Sequence, residues 1–311
     1  MSTPPDLSVI VVTHGGMDLA LTTLRSARAA CGPIDVEWLV VDSGSTDGTP
    51  DAIEREFPDV DVSRGPNVGF AAGNNQALRR ARGRYVLLLN PDVELLKGTL
   101  ADVVSALDAR PEVGAASVIQ RDVGGALQPT IRRFPSAARQ LGEALGAARV
   151  PALGRLQELE KDPGRYQQET SADWLVGAFL VIRSTTLEQV GQLDERFFLY
   201  SEETDWCYRI REAGWDIRHL PMVEIVHHGG GYSRPELAAQ LSYSKLLFAR
   251  KHLGPLRRAG LRASLVLGHA LRIAGCALLG IRAREPRSRL RREASALAVG
   301  LGLTRPPGRA G

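Results

Sequence analysis

A continuous apolar run followed by one isolated carboxylate is the feature that most constrains this chain. The run Tyr-Val-Leu-Leu-Leu covers residues 85–89 and is followed by Asn90-Pro91-Asp92. Its length and its lack of alternation are typical of a parallel strand covered on both faces, and Pro91 cannot continue a strand ladder. Ligands of open α/β sheets bind beyond the carboxyl ends of the strands. Asp92 is therefore predicted to lie in an active-site loop, where it can hold a divalent cation against a diphosphate.

Two further stretches of the chain have the same form. Leu7–Thr13 precedes Gly15-Gly16, and the strand-like residues 37–41 precede the polar loop Asp42-Ser43-Gly44-Ser45-Thr46-Asp47. Segments with helical spacing of apolar residues lie between these strands, at residues 19–30, 49–57 and 68–81. Strands that alternate with helices form right-handed crossovers in a parallel sheet. The sequence therefore predicts an α/β domain with a mostly parallel sheet flanked by helices.

Two of these loops carry residues suited to a nucleotide. Asp42 and Asp47 can accept hydrogen bonds from ribose hydroxyls and from the edge of a uracil or thymine ring, although such loops also form turns and cap helices without a ligand. In the segment 67–74, Gly69 and Gly73 would let a nucleotide approach the backbone, and a helix start offers N–H groups to an anion. The alternative for both glycines is close packing of a helix on the sheet.

An acidic cluster follows the apolar residues 197–200. Glu202, Glu203 and Asp205 begin a segment with helical spacing that continues through Trp206. Clustered carboxylates raise one another's pKa, which helps a general base to work near neutral pH. The alternative is structural, because acids in a first helical turn are favoured by the helix dipole whatever the function.

A pair of histidines follows the short apolar strand predicted at residues 223–226. Either His227 or His228 can complete the ligand set of a metal ion, although a histidine is more often structural. The glycines Gly230 and Gly231 continue this loop. Trp174 and Gly177 are predicted to shape the acceptor pocket, and the alternative for Trp174 is a place in the core.

Six short motifs follow one another over roughly residues 7–254. They are Ser-Val-Ile-Val-Val-Thr at 8–13, Val-Asp-Ser-Gly-Ser-Thr-Asp-Gly at 41–48, Asn-Val-Gly-Phe-Ala-Ala-Gly-Asn-Asn at 67–75, Leu-Asn-Pro-Asp at 89–92, Trp-Leu-Val-Gly-Ala at 174–178 and Tyr-Ser-Glu-Glu-Thr-Asp-Trp at 200–206. In these motifs and in their order the chain resembles the inverting, metal-dependent glycosyltransferases of family 2. The subgroup that it resembles most is that of the bacterial rhamnosyltransferase-like enzymes.

The resemblance implies a GT-A type fold and direct displacement at the anomeric carbon, with Mg²⁺ or Mn²⁺ as cofactor. It assigns Asp92 and His227 to the metal and Glu203 to the role of base, with Glu202 and Asp205 as the other catalytic candidates. Asn90 stands where the family usually has a first metal-binding Asp, and Glu203 stands where it usually has Asp. The first strand ends Thr13-His14-Gly15 instead of Thr-Tyr-Asn. The substrate-binding residues expected are Thr13, Asp42, Ser43, Asp47, Asn67, Gly69, Gly73, Asn74, Asn90, Trp174 and Gly177.

The same resemblance suggests the partners. The donor is expected to be a nucleotide diphosphate sugar, with dTDP-rhamnose the first choice and UDP-sugars next. The acceptor is expected to be a polyprenyl-diphosphate-linked sugar or a growing polysaccharide of the cell surface. One rival is a catalytically silent protein that binds a nucleotide sugar or a glycan. Nucleotidyltransferases and dinucleotide oxidoreductases are disfavoured, because the loop after the first strand lacks their glycine-rich motifs.

The carboxyl-terminal part of the chain is strongly basic. We predict a glycosyltransferase domain at 1–256, with a nucleotide-sugar half at about 1–120 and an acceptor half at 121–256, followed by a helical tail at 257–311. The apolar segment 261–281 is interrupted by Arg262, His269 and Arg272, so a helix lying on an anionic membrane surface is favoured over a span. The alternative is a helix packed on the domain. The tail's arginines are Arg257, Arg258, Arg262, Arg272, Arg282, Arg284, Arg287, Arg289, Arg291 and Arg292.

Charge and composition limit the remaining partners and the compartment. The net charge is +4, and the basic run lacks the interleaved aromatic residues of a nucleic-acid site, so no nucleic acid is expected. Residues 1–6 do not resemble a signal peptide, and the three cysteines have neither metal-site nor disulfide spacing. The chain is therefore expected in the cytoplasm, at the inner face of the cell membrane, and no sequence feature specifies an oligomeric state.

Overall fold

The computed structural model describes residues 3–146, 151–229, 235–278 and 286–304. The chain divides into two compact units. The first consists of Met1–Arg132, Asp162–Arg196 and Asp205–Gly230, and the second of Arg133–Lys161, Phe197–Thr204 and Gly231–Gly311. The predicted boundary between residues 256 and 257 falls inside the second unit, and the division into 1–256 and 257–311 stays a prediction.

The strands lie in the first unit. They are β1 Leu7–Thr13, β2 Val36–Ser43, β3 Asp61–Gly65, β4 Tyr85–Leu89, β5 Val93–Lys97, β6 Val113–Arg121, β7 Ile131–Arg132, β8 Thr170–Ser171, β9 Trp174–Leu175, β10 Phe179–Arg183 and β11 Asp216–His227. In the described residues, nine of them form one sheet in the order β3-β2-β1-β4-β10-β6-β11-β5, with β8 beside β11. The strands β7 and β9 form a separate antiparallel pair.

Some of the helices pack on this sheet, and others form the body of the second unit. They are α1 Met17–Ala29, α2 Thr49–Glu56, α3 Phe70–Leu78, α4 Leu100–Asp108, α5 Ala137–Ala144, α6 Ser184–Val190, α7 Glu202–Glu212, α8 Pro235–His252, α9 Pro255–Leu278 and α10 Pro286–Leu301. Short 3₁₀ turns occur at Pro151–Leu156 and Pro163–Tyr166.

The predicted α/β fold is confirmed. The three strands expected from the apolar runs correspond to β1, β2 and β4, and β1 to β4 are mutually parallel. Every residue of β4 is buried, as its uninterrupted apolar run predicts. The sheet as a whole is mixed, however, because β10 runs antiparallel to β4 and β6, and β5 runs antiparallel to β11.

Alternate strand residues explain how the sheet is covered. Val9, Val11, Leu87 and Leu89 point to one face, where they share a core with Leu24 of α1. Helix α3 packs against β1 and β2. Burying a Val or Leu side chain stabilises the fold by about 1.5–3 kcal/mol. Because both faces of the sheet are covered by helices, β1, β2 and β4 need no alternation of polar and apolar residues.

In the second unit, α10 packs on α8 and α9, and α5 packs on α9. Leu261 and Leu265 of α9 are buried with Ala249 of α8. The predicted helix at 261–281 corresponds to α9 as far as Leu278, and its last residues lie outside the described part of the chain. So do Arg282 and Arg284, and the side chain of Arg287. No helix of the described residues is long and apolar enough to cross a membrane.

Candidate functional site

The predicted site loops lie at one edge of the sheet. β1, β2 and β4 are parallel neighbours. β10 joins β4 to β6 through two antiparallel pairings, and β11 is parallel to β6. Two antiparallel steps restore the strand direction, so β11 runs the same way as β4. The residues that follow β1, β2, β4 and β11 therefore share the edge at which ligands of α/β sheets bind.

Asp42, at the end of β2, has only 3% of its surface exposed. Its Oδ1 accepts a hydrogen bond from Thr13 Oγ1 at 3.0 Å, and its Oδ2 accepts from the backbone N–H groups of Gly44 and Ser45 at 3.2 and 3.0 Å. Ser43 is buried next to it. These bonds hold the loop after β2 in shape, and the role of Thr13, Asp42 and Ser43 in substrate binding stays a prediction.

Asp47 is exposed and links the loops that follow β1 and β2. Its Oδ2 accepts from the N–H groups of Gly16 and Met17 at 2.8 and 3.3 Å, and its Oδ1 accepts from the Thr49 hydroxyl at 2.5 Å. The Thr49 hydroxyl, aided by the backbone N–H groups and opposed by desolvation, lowers the pKa of Asp47 to about 2. These are the turn and cap contacts of the alternative interpretation, and nucleotide binding by Asp47 stays a prediction.

Asn67 and Gly69 form the turn that precedes α3. Asn67 Oδ1 accepts a hydrogen bond from the N–H of Gly69 at 3.0 Å. Gly69 has φ 93°, a conformation that favours glycine and delays the start of the helix from Val68 to Phe70. Both residues lie next to the loop after β2, because a Cβ on Gly44 would be 3.8 Å from the Asn67 nitrogen.

Gly73 and Asn74 lie on the buried side of α3. A Cβ on Gly73 would lie 3.0 Å from Val12 Cγ1 and 3.5 Å from Ser43 Oγ, so the helix approaches β1 and β2 closely. Asn74 Nδ2 donates to the carbonyl oxygen of Phe70 at 2.9 Å. Close packing of helix on sheet therefore accounts for both residues in this structure, and their contact with substrate stays a prediction.

Asn90, Asp92 and His227 converge at the ends of β4 and β11. His227 Nε2 lies 3.2 Å from Asp92 Oδ1 and 3.5 Å from Asn90 Nδ2. Within the part of the chain that the structure describes, Asn90 Oδ1 is buried without a hydrogen-bond partner, and Asp92 Oδ1 is buried with the His227 ring as its neighbour. Burial acts to raise the pKa of Asp92, but the neighbouring His227 imidazole outweighs it and holds that pKa below its usual value.

These three side chains fit a divalent cation. Mg²⁺ and Mn²⁺ prefer carboxylate and carbonyl oxygens as ligands and also accept imidazole nitrogen. The buried oxygens Asn90 Oδ1 and Asp92 Oδ1 are ligand atoms of the preferred kind. Among the described residues, no group of three or more His, Cys, Asp and Glu side chains is arranged for a metal. The set reaches three only when Asn90 is counted. Such a sparse set suits a cation that takes its other ligands from a diphosphate and water.

Gly229 makes room for the Asp92 carboxylate. A Cβ at Gly229 would lie 2.0 Å from Asp92 Oδ2, so no other residue fits here unless the carboxylate moves. The N–H of His228 donates to the Asp92 carbonyl oxygen at 2.8 Å, which fixes the two loops against each other. The His228 ring itself lies 3.3 Å from Glu94, and of the two histidines it is His227 that reaches Asp92.

Two glutamines control the orientation of His227. Gln120 Nε2 lies 2.9 Å from His227 Nδ1 and 2.5 Å from Gln128 Oε1. In this arrangement Nδ1 accepts, and the imidazole proton sits on Nε2, towards Asp92. A 180° turn of both amides keeps every bond but reverses its direction, so that Gln120 accepts from Nδ1–H and Nε2 presents its lone pair to a cation. The same chain of hydrogen bonds can thus hold His227 either as a hydrogen-bond donor to Asp92 or as a ligand of a metal ion.

Trp174 and Gly177 lie before β10. Trp174 is buried, with the Arg132 guanidinium 5.2 Å from its ring centre. Gly177 is also buried, next to Ala178, whose carbonyl oxygen accepts the N–H of Asn90 at 2.9 Å. Gly177 therefore adjoins the Asn90 loop. Trp174 is buried, as expected from the alternative in which it is a core residue. Their part in acceptor binding stays a prediction.

The predicted acidic cluster opens α7, and its members differ in environment. Glu202, in the second unit, is 4% exposed, and burial followed by the charge of Glu203 raises its pKa well above the usual value. Glu203 is less buried. Asp205, in the first unit, is fully buried and lies 3.0 Å from Arg209, whose guanidinium also donates to the Gln192 carbonyl oxygen. The carboxylate of Asp205 thus stabilises the fold.

The backbone before this cluster is unusual. Tyr200 and Ser201 have φ of 68° and 65°, and they are the described non-glycine residues with positive φ. Such conformations cost of order 1–3 kcal/mol each and collect at functional sites. The strain presents Glu202 and Glu203 at the start of a helix. No pattern in the sequence indicates it.

Comparison with known proteins assigns the family. Residues 8–156 match the model of Glycosyl transferase family 2. The N-acetylglucosaminyl-diphospho-decaprenol L-rhamnosyltransferase of Mycobacterium tuberculosis is 30% identical over 285 residues, which cover 84% of this chain and 91% of that protein. The chain belongs to glycosyl transferase family 2. This family 2 enzyme is also 23% identical to rhamnosyltransferase WbbL of Escherichia coli K12, over 71% of the chain and 82% of WbbL.

Solved structures agree with the fold. The mannosyltransferase PcManGT from Pyrobaculum calidifontis, in complex with GDP-Man and Mn²⁺, has a TM-score of 0.56 at 19% identity and covers 97% of this chain and 88% of its own. Staphylococcus aureus TarS 1–349 in complex with UDP has a TM-score of 0.53 at 15% identity, over 96% and 90%. The predicted GT-A fold and glycosyltransferase activity are confirmed, as is the kinship with rhamnosyltransferases of glycan biosynthesis.

Sequence reasoning missed Gln120 and Gly229 as parts of this site. Gln120 is 4% exposed and follows the apolar pair Val118-Ile119 in strand β6, and a polar residue at the end of a largely apolar strand was the available signal. Gly229 belonged to a glycine run that indicated only a loop. Its contact with Asp92 joins positions far apart in sequence and requires the fold.

Proposed function

We propose that this family 2 enzyme transfers a sugar, with inversion, from a nucleotide diphosphate sugar to a lipid-linked or polysaccharide acceptor. The first candidate donor is dTDP-rhamnose and the first candidate acceptor a sugar on a polyprenyl diphosphate, since a relative is named as such a rhamnosyltransferase. The observation that carries the proposal is the convergence of Asn90, Asp92 and His227 at the sheet edge. Oxygen and nitrogen donors at that edge suit the cation of a bound diphosphate.

Asp92 and His227 would hold Mg²⁺ or Mn²⁺, with Asn90 as a neutral helper. The cation supplies charge neutralisation on the leaving nucleotide diphosphate. Gln120 orients His227 for this duty, and Gly229 keeps the carboxylate of Asp92 in place. Ribose and base would bind along the loop of Asp42 and Asp47, together with the remaining substrate-binding candidates named above.

Glu203 is the proposed base. In the transfer, the acceptor hydroxyl oxygen attacks the anomeric carbon, the bond from that carbon to the diphosphate oxygen breaks, and the proton passes to Glu203. A base must be ionised before the reaction. Burial and the neighbouring charge of Glu203 raise the pKa of Glu202, so Glu202 is the less suited of the two to act as base. Glu202 would instead form a hydrogen bond to its neighbour or to the acceptor, and the two acids would have different tasks.

The test uses purified protein and a panel of dTDP- and UDP-sugars, with Mn²⁺ or EDTA, and with or without a polyprenyl-diphosphate-linked acceptor. We expect acceptor-dependent release of dTDP from dTDP-rhamnose that requires the cation. Full activity in EDTA would contradict the metal proposal. Binding of the donor without turnover on any acceptor would favour the silent binding protein, the alternative that Asn90 in place of an acid suggests.

We also propose that the enzyme works at the inner, cytoplasmic face of the membrane. The lipid-linked substrate in the relative's name supports this, as do the exposed side chains of Leu267 and Leu271 on α9. Other faces of α9 are covered by α5, α8 and α10. Because Leu261 and Leu265 are buried, deletion of 257–311 would disturb the second unit, and charge substitutions are the better probe.

A further inference from the structure

An arginine-lined cavity lies within the second unit, and none of the residues assigned to the reaction lines it. Its volume is about 760 Å³, and it is lined by α8, by α9 and by the end of α10. Tyr243, Leu246, Leu247 and Arg250 face it from α8, at a spacing that places them on one side of the helix. The cavity therefore combines aliphatic and cationic walls.

Helix α9 contributes two more cations. Arg258 and Arg262 are four residues apart and line the same cavity. None of the lining residues is acidic. Among the described residues no carboxylate forms an ion pair with Arg250 or Arg258. Three positive charges thus surround a space that no carboxylate of the described residues neutralises.

Arg262 is already fixed in position. Its guanidinium donates to the carbonyl oxygens of Gly300 and Leu301 at 2.8 and 2.9 Å, at the carboxyl end of α10. Gly302, with φ 81°, ends that helix, and a Cβ there would lie 3.1 Å from Arg262 Nη2. A guanidinium held in this way loses little freedom when it binds a further anion.

We propose that this cavity binds the phosphate group of a lipid. Guanidinium groups pair with phosphate oxygens in a bidentate manner, and Arg250 and Arg258 are exposed and available for this pairing. The aliphatic chain attached to the phosphate would lie against Leu246 and Leu247. The ligand is a phosphate or diphosphate that carries a long hydrocarbon chain, whether in a bilayer phospholipid or in an isoprenoid diphosphate.

The test compares two double variants of the full chain. R250Q/R258Q removes two charges from the cavity, and R257Q/R291Q removes two exposed arginines of the same unit that do not line it. Binding is measured by co-sedimentation with phosphatidylcholine vesicles, with and without phosphatidylglycerol, and by calorimetry with farnesyl diphosphate and with inorganic pyrophosphate. Circular dichroism and thermal unfolding check that both proteins fold.

We expect R250Q/R258Q to weaken binding to the anionic vesicles or to farnesyl diphosphate by about 10-fold or more, and R257Q/R291Q to weaken it far less. Loss confined to vesicles identifies a bilayer phospholipid, and loss with farnesyl diphosphate identifies an isoprenoid diphosphate. Equal losses in the two variants would mean diffuse attraction and overturn the site. Equal affinity for pyrophosphate and farnesyl diphosphate, with no selective loss of binding to the anionic vesicles, would overturn the lipid. Sugar transfer to a soluble acceptor is independent of either outcome.

Discussion

The two polar loops at the sheet edge use their acids in opposite ways. In the loop after β2, the oxygens of Asp42 and Asp47 accept hydrogen bonds from Thr13, Thr49 and backbone N–H groups. After β4, Asn90 Oδ1 is buried without a hydrogen-bond partner among the described residues, and Asp92 Oδ1 is buried beside His227 Nε2 at 3.2 Å. A buried acceptor without a partner costs about 1–3 kcal/mol. The acids of the first loop therefore hold the fold together, and we propose that the oxygens of the second loop bind a cation.

The acids at the start of α7 give the largest expected effect. Glu203→Gln cannot accept the acceptor's proton, so kcat should fall by roughly 10²–10⁴ with donor affinity nearly unchanged. Glu202→Gln should cost less, because the proposed proton acceptor, Glu203, is unchanged. Glu203→Asp restores the commoner family residue and should keep partial activity. Steady-state kinetics with donor and acceptor varied separately gives these values.

Asp205→Asn is the matched control for Glu203→Gln. Its carboxylate pairs with Arg209, so we expect a lower melting temperature rather than a selective loss of kcat. If Asp205→Asn or Glu202→Gln is the inactive variant while Glu203→Gln turns over normally, the assignment of the base is wrong. The family assignment would stand in either case.

The next largest effect is expected for Asp92→Asn. Removal of the ionised donor should lower kcat by roughly 10²–10³ and weaken the response to Mn²⁺, measured as donor turnover against metal concentration. The fold should change little, because the amide has the shape of the carboxylate and its oxygen can still lie beside His227 Nε2, 3.2 Å away. If the Asp92→Asn variant is as active as the wild type, in Mn²⁺ and in EDTA alike, the loop after β4 does not bind a cation needed for the reaction.

Gly229→Ala tests how tightly the second loop is built. The added Cβ would lie 2.0 Å from Asp92 Oδ2, so the carboxylate must shift. We expect a loss of about 10–100-fold in apparent metal affinity, the size found when groups that orient metal ligands are altered. Gly254→Ala, where a Cβ meets nothing within 4 Å, is the control. Equal Mn²⁺ dependence in the two variants would show that Asp92 does not act from this position.

Local patterns predicted the parts of this fold that depend on short stretches of chain. The apolar run of β4, and the rule that ligands bind beyond strand ends, were enough to indicate Asp92 as a site residue. The antiparallel direction of β10 was not predictable in this way, because Phe179–Arg183 is an apolar run like the others and direction depends on the connection. The spacing of apolar residues in α9 likewise does not distinguish a helix that lies on a bilayer from a helix that is covered by other helices.

The site shows the same limit. Asp92 and His227 were predicted as a pair because each follows a strand and because the family resemblance links them. The Gln120 contact to His227 Nδ1 joins side chains 107 positions apart, and it depends on the register of β6 against β11. The positive φ angles of Tyr200 and Ser201 are imposed by the surrounding fold. Motifs thus predicted the chemistry of these residues, which stays a prediction, and only the tertiary structure shows the contacts that orient them.

The smallest effect is expected for Asp47→Asn, in the loop whose acids serve the fold. The folded-state pKa of about 2 lies below the ordinary value of 3.8, so the ionised acid stabilises the protein above pH 3.8, and that contribution is lost as pH falls towards 2. Urea unfolding of both proteins should give a difference in stability that is largest near neutral pH and disappears in acid. Because Asp47 is exposed, the difference should be small. A constant difference at every pH would show that the charge is not the cause, and a raised KM for the donor would add nucleotide binding to its structural task.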